Sequence, residues 1–99
     1  MRGLTIVVAD ADPAHLDAAL TLANAAAALG GRVRVYFHDA AVTLALPPAH
    51  AEAARELGVV LIACQTALDI HRVALPPGYE GGGMVGLLAD LGEDRLVVV

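Results

Sequence analysis

Apolar residues in this chain fall into short runs punctuated by glycine, proline and aspartate, and runs of strand period alternate with runs of helical period. Leu4-Thr5-Ile6-Val7-Val8-Ala9 is nearly unbroken, the pattern of a strand covered on both faces. Asp12-Pro13 follows, an N-cap with proline at the first helical position, and the helix it opens is predicted over Pro13 to about Leu29, stopping at Gly30-Gly31. The apolar residues of this helix, among them Leu16, Ala19, Leu20, Leu22, Ala23, Ala26, Ala27 and Leu29, surround much of its circumference. That width predicts one face on a sheet and another against a neighbouring subunit.

Arg32 to His38 alternates polar and apolar, which predicts a strand with one wetter face at the sheet edge. Asp39 is placed to cap a short helix from Ala40 to Leu46, broken by Pro47-Pro48, and a second short helix runs from Pro48 to Leu57 and closes at Gly58. Val59 to Cys64 is again a strand of the fully buried kind. Thr66-Ala67-Leu68-Asp69 has capping-box spacing, so a helical turn is expected just after the cysteine. Leu75 to Gly83 reads as a Pro- and Gly-rich loop. Met84, Leu87, Leu88 and Leu91 fall at helical spacing up to Gly92, and Arg95 to Val99 reads as a last buried strand.

Strands alternating with helices imply right-handed crossovers, hence an α/β chain with a parallel sheet and helices on both faces. The expected architecture is a single-domain, flavodoxin-like, three-layer fold with four strands, or five, in the order 2-1-3-4. The order is taken by analogy. At 99 residues the chain has room for one core and no more.

Composition sharpens this. Hydrophobic residues make up 58% and charged residues 17%, below the ~25% charged usual for soluble domains. More apolar surface is present than one small fold can hide, so a homo-oligomer is expected. The net charge is −5 and the basic residues are six scattered arginines, which argues against nucleic acid as a partner. The absence of lysine excludes Schiff-base chemistry and a Walker-type phosphate loop. The longest uncharged stretch, Ala18 to Gly31, is too short to span a bilayer, so no membrane partner is expected. A single cysteine forms no internal disulfide, which with the lack of a signal peptide points to the cytoplasm.

Candidate chemistry gathers where strands end. In a parallel sheet all C-terminal strand ends share one edge, and Asp10, His38 and Cys64 occupy three of them. In the order 2-1-3-4 the first and third strands flank the switch point, where open sheets bind ligands. Cys64 would also open a helix, whose N-terminal dipole and free N–H groups favour a thiolate. The plain alternative is that Cys64 is a small buried residue with no chemistry. His38, two strands away in this order, would lie roughly 10 Å from Cys64 at the backbone, too far for a Cys–His pair. His71 is expected to point elsewhere, and His15 and His50 read as surface residues. No histidine pair has metal-ligand spacing, so no metal is expected.

The loop Asp10-Ala11-Asp12-Pro13 lacks the glycine and hydroxyl residues that would cradle FMN, and no cofactor is expected. Gly81-Gly82-Gly83 precedes a helix; Gly82 and Gly83 are a weak candidate for holding an anion through backbone N–H groups, against the simpler reading of a flexible turn.

Gly3 to Val8, the alanine-rich first helix, Ala63-Cys64-Gln65-Thr66 and Gly82-Gly83-Met84-Val85-Gly86-Leu87-Leu88 together give a resemblance to the DsrE/DsrF-like family, which includes the TusD-type sulfur-relay subunits. The resemblance covers nearly the whole chain. It implies a small flavodoxin-like fold, assembly into dimers, trimers or hexamers, and a persulfide-carrying cysteine at the end of the third strand, the position matched by Cys64. Asp10, His38, Gln65 and Thr66 are then candidates for shaping the pocket, with sulfur-donor and sulfur-acceptor proteins as partners. The stretch from Ala45 to Gly58 looks shorter than in such relatives. The alternative is a non-enzymatic oligomeric module, binding a small ligand or a partner, with a structural Cys64.

Overall fold

The computed structural model describes residues 1–44 and 48–99. Five parallel strands form one sheet: β1 (Leu4–Val8), β2 (Val33–Phe37), β3 (Val59–Cys64), β4 (Tyr79–Gly82) and β5 (Arg95–Val98). Helix α1 (Pro13–Ala28) joins β1 to β2. A 3₁₀ helix (Asp39–Leu44) and α2 (Pro48–Glu56) lie between β2 and β3, α3 (Gln65–His71) follows β3, and α4 (Met84–Ala89) joins β4 to β5.

The strand order is β4-β3-β2-β1-β5, not 2-1-3-4. From β1 to β4 each strand is laid beside its predecessor in one direction. Right-handed crossovers therefore put α1, α2 and α3 on the same face. Leu16, Ala19, Ala23 and Ala26 of α1, Ala51 and Ala54 of α2, and Ala67 and Leu68 of α3 pack there on Ile6, Val8, Val35, Phe37 and Leu61. Their small side chains let three helices lie close on one side. Only the step from β4 to β5 reverses direction, so α4 alone crosses the other face, where Leu87 packs on Val7 and Tyr36.

This winding changes the place of β2. It is a central strand buried along its whole length, not an edge. Of the polar positions that suggested a wet face, Arg34 and Tyr36 are buried, while Arg32 and His38 flank the strand and are exposed. Arg34 donates from Nε (3.1 Å) and Nη2 (2.8 Å) to Thr5 Oγ1, from Nη2 to the Leu87 carbonyl (3.3 Å), and from Nη1 to Asp90 Oδ2 (3.2 Å). Asp94 accepts from Arg32 at 3.0 Å and from the Thr5 hydroxyl at 3.4 Å. A buried charge held this way is consistent with the low-dielectric interior of a central strand.

Strand β5, by contrast, is an exposed edge strand rather than a buried one, because no helix crosses above it. The expected loop from Leu75 to Gly83 contains β4. Glycine hid this strand: a Cβ on Gly82 would lie 2.8 Å from Ile62 Cγ2, a contact the branched side chain cannot easily yield, whereas one on Gly81 would displace the exposed side chain of Gln65. The first short helix is a 3₁₀ helix that starts at Asp39; its expected last residues, Ala45 and Leu46, fall outside the described residues, as does part of the stretch from Ala45 to Gly58. The remaining boundaries match within one or two residues. Asp12 caps α1, its carboxylate accepting from the Ala14 N–H at 2.9 Å.

Candidate functional site

Cys64 is the last residue of β3 and the N-cap of α3, partly exposed, in extended conformation. Its side chain makes no capping hydrogen bond. Helix α3 begins at Gln65, so Thr66 lies inside the first turn and the expected capping box does not form. The role of N-cap falls instead on the cysteine. Strand alternation turns Cys64 to the α4 side of the sheet, where it packs with Ile62, Met84 and Tyr36.

Tyr36, buried on the neighbouring strand, brings its hydroxyl into the surroundings of the Cys64 thiol. Burial pushes the Tyr36 hydroxyl well above its ordinary range, and the cysteine beside it pushes it further the same way. The hydroxyl therefore stays protonated and can donate to sulfur. Sequence reasoning missed this residue. Its signal was the period of two, since Arg34 and Tyr36 share a face, but that face meets Cys64 only when β2 lies next to β3.

The register also relocates the other candidates. Phe37 pairs with Ala63, so His38 follows at the end of the strand adjacent to β3, not two strands away. Asp10 ends β1, which lies two strands from β3, and is not the neighbour of Cys64. The switch point falls between β1 and β5, two strands from β3, so Cys64 does not lie beside it.

Asp10 instead accepts from His15 Nδ1 at 3.0 Å and from the Asp12 N–H at 3.2 Å. The His15 hydrogen bond, helped by the Asp12 N–H, holds the Asp10 carboxyl below its ordinary range. The same bond, with the charges of Asp10 and Asp12, lifts the imidazole of His15 above 6.5. His71 also has a carboxylate partner: its Nε2 lies 3.0 Å from Asp39 Oδ1, pinning α3 to the 3₁₀ helix. That hydrogen bond, with a smaller effect from the charge of His38, lowers the Asp39 pKa. Both of these histidines are paired with carboxylates and not with the thiol.

Gln65 lays its side chain over Gly81, and Thr66 follows it in the first turn of α3. Gly82 is the register partner of Cys64, and Gly83 is the N-cap of α4. Two helices thus begin side by side at one sheet edge, on opposite faces.

A cavity of about 180 Å³ on the α4 face is lined by Arg34, Ile62, Glu80, Asp90 and the glycines 81–83. A larger one, of about 400 Å³, lies at the N-terminal ends of β3 and β4, the edge opposite Cys64. Neither is lined by the thiol. Among the described residues, no three His, Cys, Asp or Glu side chains are grouped to hold a metal, and no helix is long and apolar enough to cross a membrane.

The backbone has known counterparts. The crystal structure of the YchN protein from E. coli superposes with a TM-score of 0.82 over 100% of both chains, at 24% identity. A conserved protein of unknown function, BT1422 from Bacteroides thetaiotaomicron, gives a TM-score of 0.80 at 15% identity, over 99% of this chain and 94% of that one. At these identities the likeness shows the fold alone. No family model matches the chain, and no curated protein does.

Proposed function

We propose that the chain is a sulfur carrier of the DsrE type, cytoplasmic and homo-oligomeric, in which Cys64 holds a transient persulfide. The observation that carries this reading is the placement of Cys64: partly exposed, at the opening of α3, with the buried Tyr36 on the neighbouring strand beside it. The resemblance of Ala63-Cys64-Gln65-Thr66 to the family's strand-terminal cysteine supports it.

The transfer is an exchange at sulfur. The Cys64 thiolate attacks the outer, sulfane sulfur of a donor persulfide, the new S–S bond forms at Cys64, and the donor's S–S bond breaks as its thiolate leaves. An acceptor thiolate then attacks the outer sulfur on Cys64 and releases the Cys64 thiolate. No electrons are gained or lost overall, and no base has to remove a proton in the transfer itself. This chemistry makes no call on His15 or His71, which are engaged by Asp10 and Asp39. The Tyr36 hydroxyl and the first N–H groups of α3, at Gln65 and Thr66, stabilise negative charge on sulfur.

Incubation with a persulfidated donor, followed by mass spectrometry, should add about 32 Da, one sulfur, to Cys64 and nothing to Cys64→Ala. Absence of the adduct with several competent donors would sink the proposal. One observation favours a second reading, in which Cys64 is structural: it packs against the core clusters on both sides of the sheet. In that case Cys64→Ala loses stability but keeps every partner.

A further inference from the structure

A groove runs beside α4 over β3 and β4. The cavity of about 180 Å³ described above adjoins a second of about 250 Å³, and Arg34, Ile62, Glu80 and Asp90 line both. Its floor is apolar, built from the half-buried Val60 and Ile62. Glycine keeps it open. Gly82 and Gly83 bring no side chain to the β4 side, and a Cβ added to Gly86 on the α4 side would meet nothing within 4 Å. Each volume is below the ~300 Å³ at which sites for drug-sized ligands begin, so the groove suits a molecule of amino-acid size.

The two sides of the groove differ in charge. Arg34 has a side chain only 7% exposed, and of the two N–H groups on its Nη1 one goes to Asp90 Oδ2 at 3.2 Å. The other is left for a further acceptor. Asp90 itself is answered by Arg34 and by Arg32 at 3.4 Å. Across the floor, Glu80 pairs in register with Ile62 and shares its face of the sheet. Glu80 is exposed, and its carboxylate makes no ion pair among the described residues. An arginine N–H set across an apolar strip from an unpaired carboxylate recognises a small zwitterion, with a carboxylate at one end and an ammonium at the other.

The groove also leads to the thiol. Cys64 follows Ile62 on this face and pairs with Gly82. At ~3.3 Å per residue, Glu80 stands level with Ile62, ~7 Å back along the sheet from Cys64, and Arg34 level with Val60, ~13 Å back. A cysteine-type persulfide poised for attack spans one contact of ~3–3.5 Å, one S–S bond of ~2.05 Å and the few bonds behind it, which puts its charged head on the order of 9 Å from the Cys64 sulfur. That length falls between the two levels.

We propose that this groove binds an α-amino-acid persulfide, a low-molecular-weight donor of the cysteine persulfide type, with its ammonium on Glu80 and its carboxylate on Arg34. The inference rests on the proposed persulfide chemistry at Cys64 and names the class of donor. The Cys64 thiolate attacks the outer sulfur of the neutral donor RS–SH. The new S–S bond forms as the RS–S bond breaks, the proton stays on the outer sulfur, and the RS thiolate departs.

The test is the rate of persulfide formation on Cys64 of the full chain, followed by time-resolved mass spectrometry. Four donors are compared: the persulfides of cysteine, of cysteamine (ammonium only), of 3-mercaptopropionate (carboxylate only) and of propanethiol (neither). Each rate is divided by that of the same donor with a short cysteine peptide, which removes differences in intrinsic reactivity. Arg34 also holds Thr5 and the Leu87 carbonyl, so its part is tested through the donors. Glu80→Gln removes the charge, Gly86→Leu fills the groove, and Glu52→Gln on α2, across the sheet, is the control; circular dichroism checks that each folds. Cysteine persulfide should react at least about 10-fold faster than the propyl donor, with the single-headed donors between them. Glu80→Gln should erase its advantage over the 3-mercaptopropionate donor, Gly86→Leu should lower its rate about 10-fold, and Glu52→Gln should leave it unchanged. Equal normalised rates for all four donors, or a preference that survives both groove variants, overturn this inference and leave the carrier intact. So does loading by a persulfidated protein but by no small donor. Loading by neither kind of donor overturns the carrier as well.

Discussion

At the scale of single residues, the contact between Tyr36 and Cys64 ties a buried phenol to a half-buried sulfur. Replacing the sulfur shows what the hydroxyl needs. Cys64→Ser keeps a hydrogen-bonding atom in place, whereas Cys64→Val leaves the buried hydroxyl without its sulfur partner. Urea unfolding should find the valine variant less stable than the serine variant by about 1–3 kcal/mol, the cost of an unsatisfied buried polar group.

The exposed pair of His15 and Asp10 makes a prediction of opposite sign at each partner. The His15 imidazole is raised, so its contribution to stability is complete below 6.5 and disappears as pH climbs through its folded value. The Asp10 carboxyl is lowered, so its contribution is complete above 3.8 and disappears as pH falls through its folded value. An NMR titration should place the His15 midpoint above 6.5 and return it towards 6.5 in Asp10→Asn. An unmoved midpoint would mean that the pair does not persist in solution.

At the scale of elements, the contacts that locate β2 and β4 are those that the hydropathy pattern disguised. Thr5 is fully buried on β1 and receives two hydrogen bonds from Arg34. Thr5→Val preserves shape and removes the acceptor, and should cost about 1–3 kcal/mol by urea unfolding. Gly82→Ala drives a methyl group into Ile62 beside Cys64 and should cost about 1–3 kcal/mol through overpacking. The reaction rate of Cys64 with a thiol reagent should change with it, whereas Gly83→Ala, where an added Cβ meets open space, should leave both quantities near wild type.

The same examples explain which elements could be read beforehand. Strands β1 and β3 are continuous apolar runs, and α1 is bounded by a capping aspartate and a glycine, so their limits are written locally. Strand β4 is not. Its Tyr-Glu-Gly-Gly sequence has the composition of a turn, and only the tight approach of Gln65 and Ile62 explains the glycines. Strand order was likewise invisible, because it depends on whether Arg34 and Tyr36 face water or a partner. The candidate site inherited that gap. Cys64 could be found as a strand-terminal residue, but its neighbour changed from Asp10 to Tyr36 once β2 moved between β1 and β3.

On the scale of the whole molecule, among the described residues one face of the sheet carries three α-helices and the 3₁₀ helix, and the other a single six-residue helix. This asymmetry gives physical form to the 58% hydrophobic composition, since apolar side chains that a fourth long helix would have covered stand open on α4 and β5. Carboxylates set the acid limit. Asp10 and Asp39 are both held below their ordinary range by histidine hydrogen bonds, so circular dichroism should show stability constant through the weakly acidic range and falling below 3.8. Asp39→Asn should flatten that fall.

The reversal of winding after β4 has a kinetic consequence. Leu4 pairs with Arg95 and Val7 with Val98, so the first strand is flanked on one side by the second and on the other by the last. Closing that final ladder brings together segments separated by nearly the whole chain, which makes it the most entropically demanding step of the sheet. Until it closes, the outer edge of β1 is a bare template for any other strand. The interval between forming β1–β2 and adding β5 is when misassociation is most dangerous, and changes that weaken β5 lengthen it.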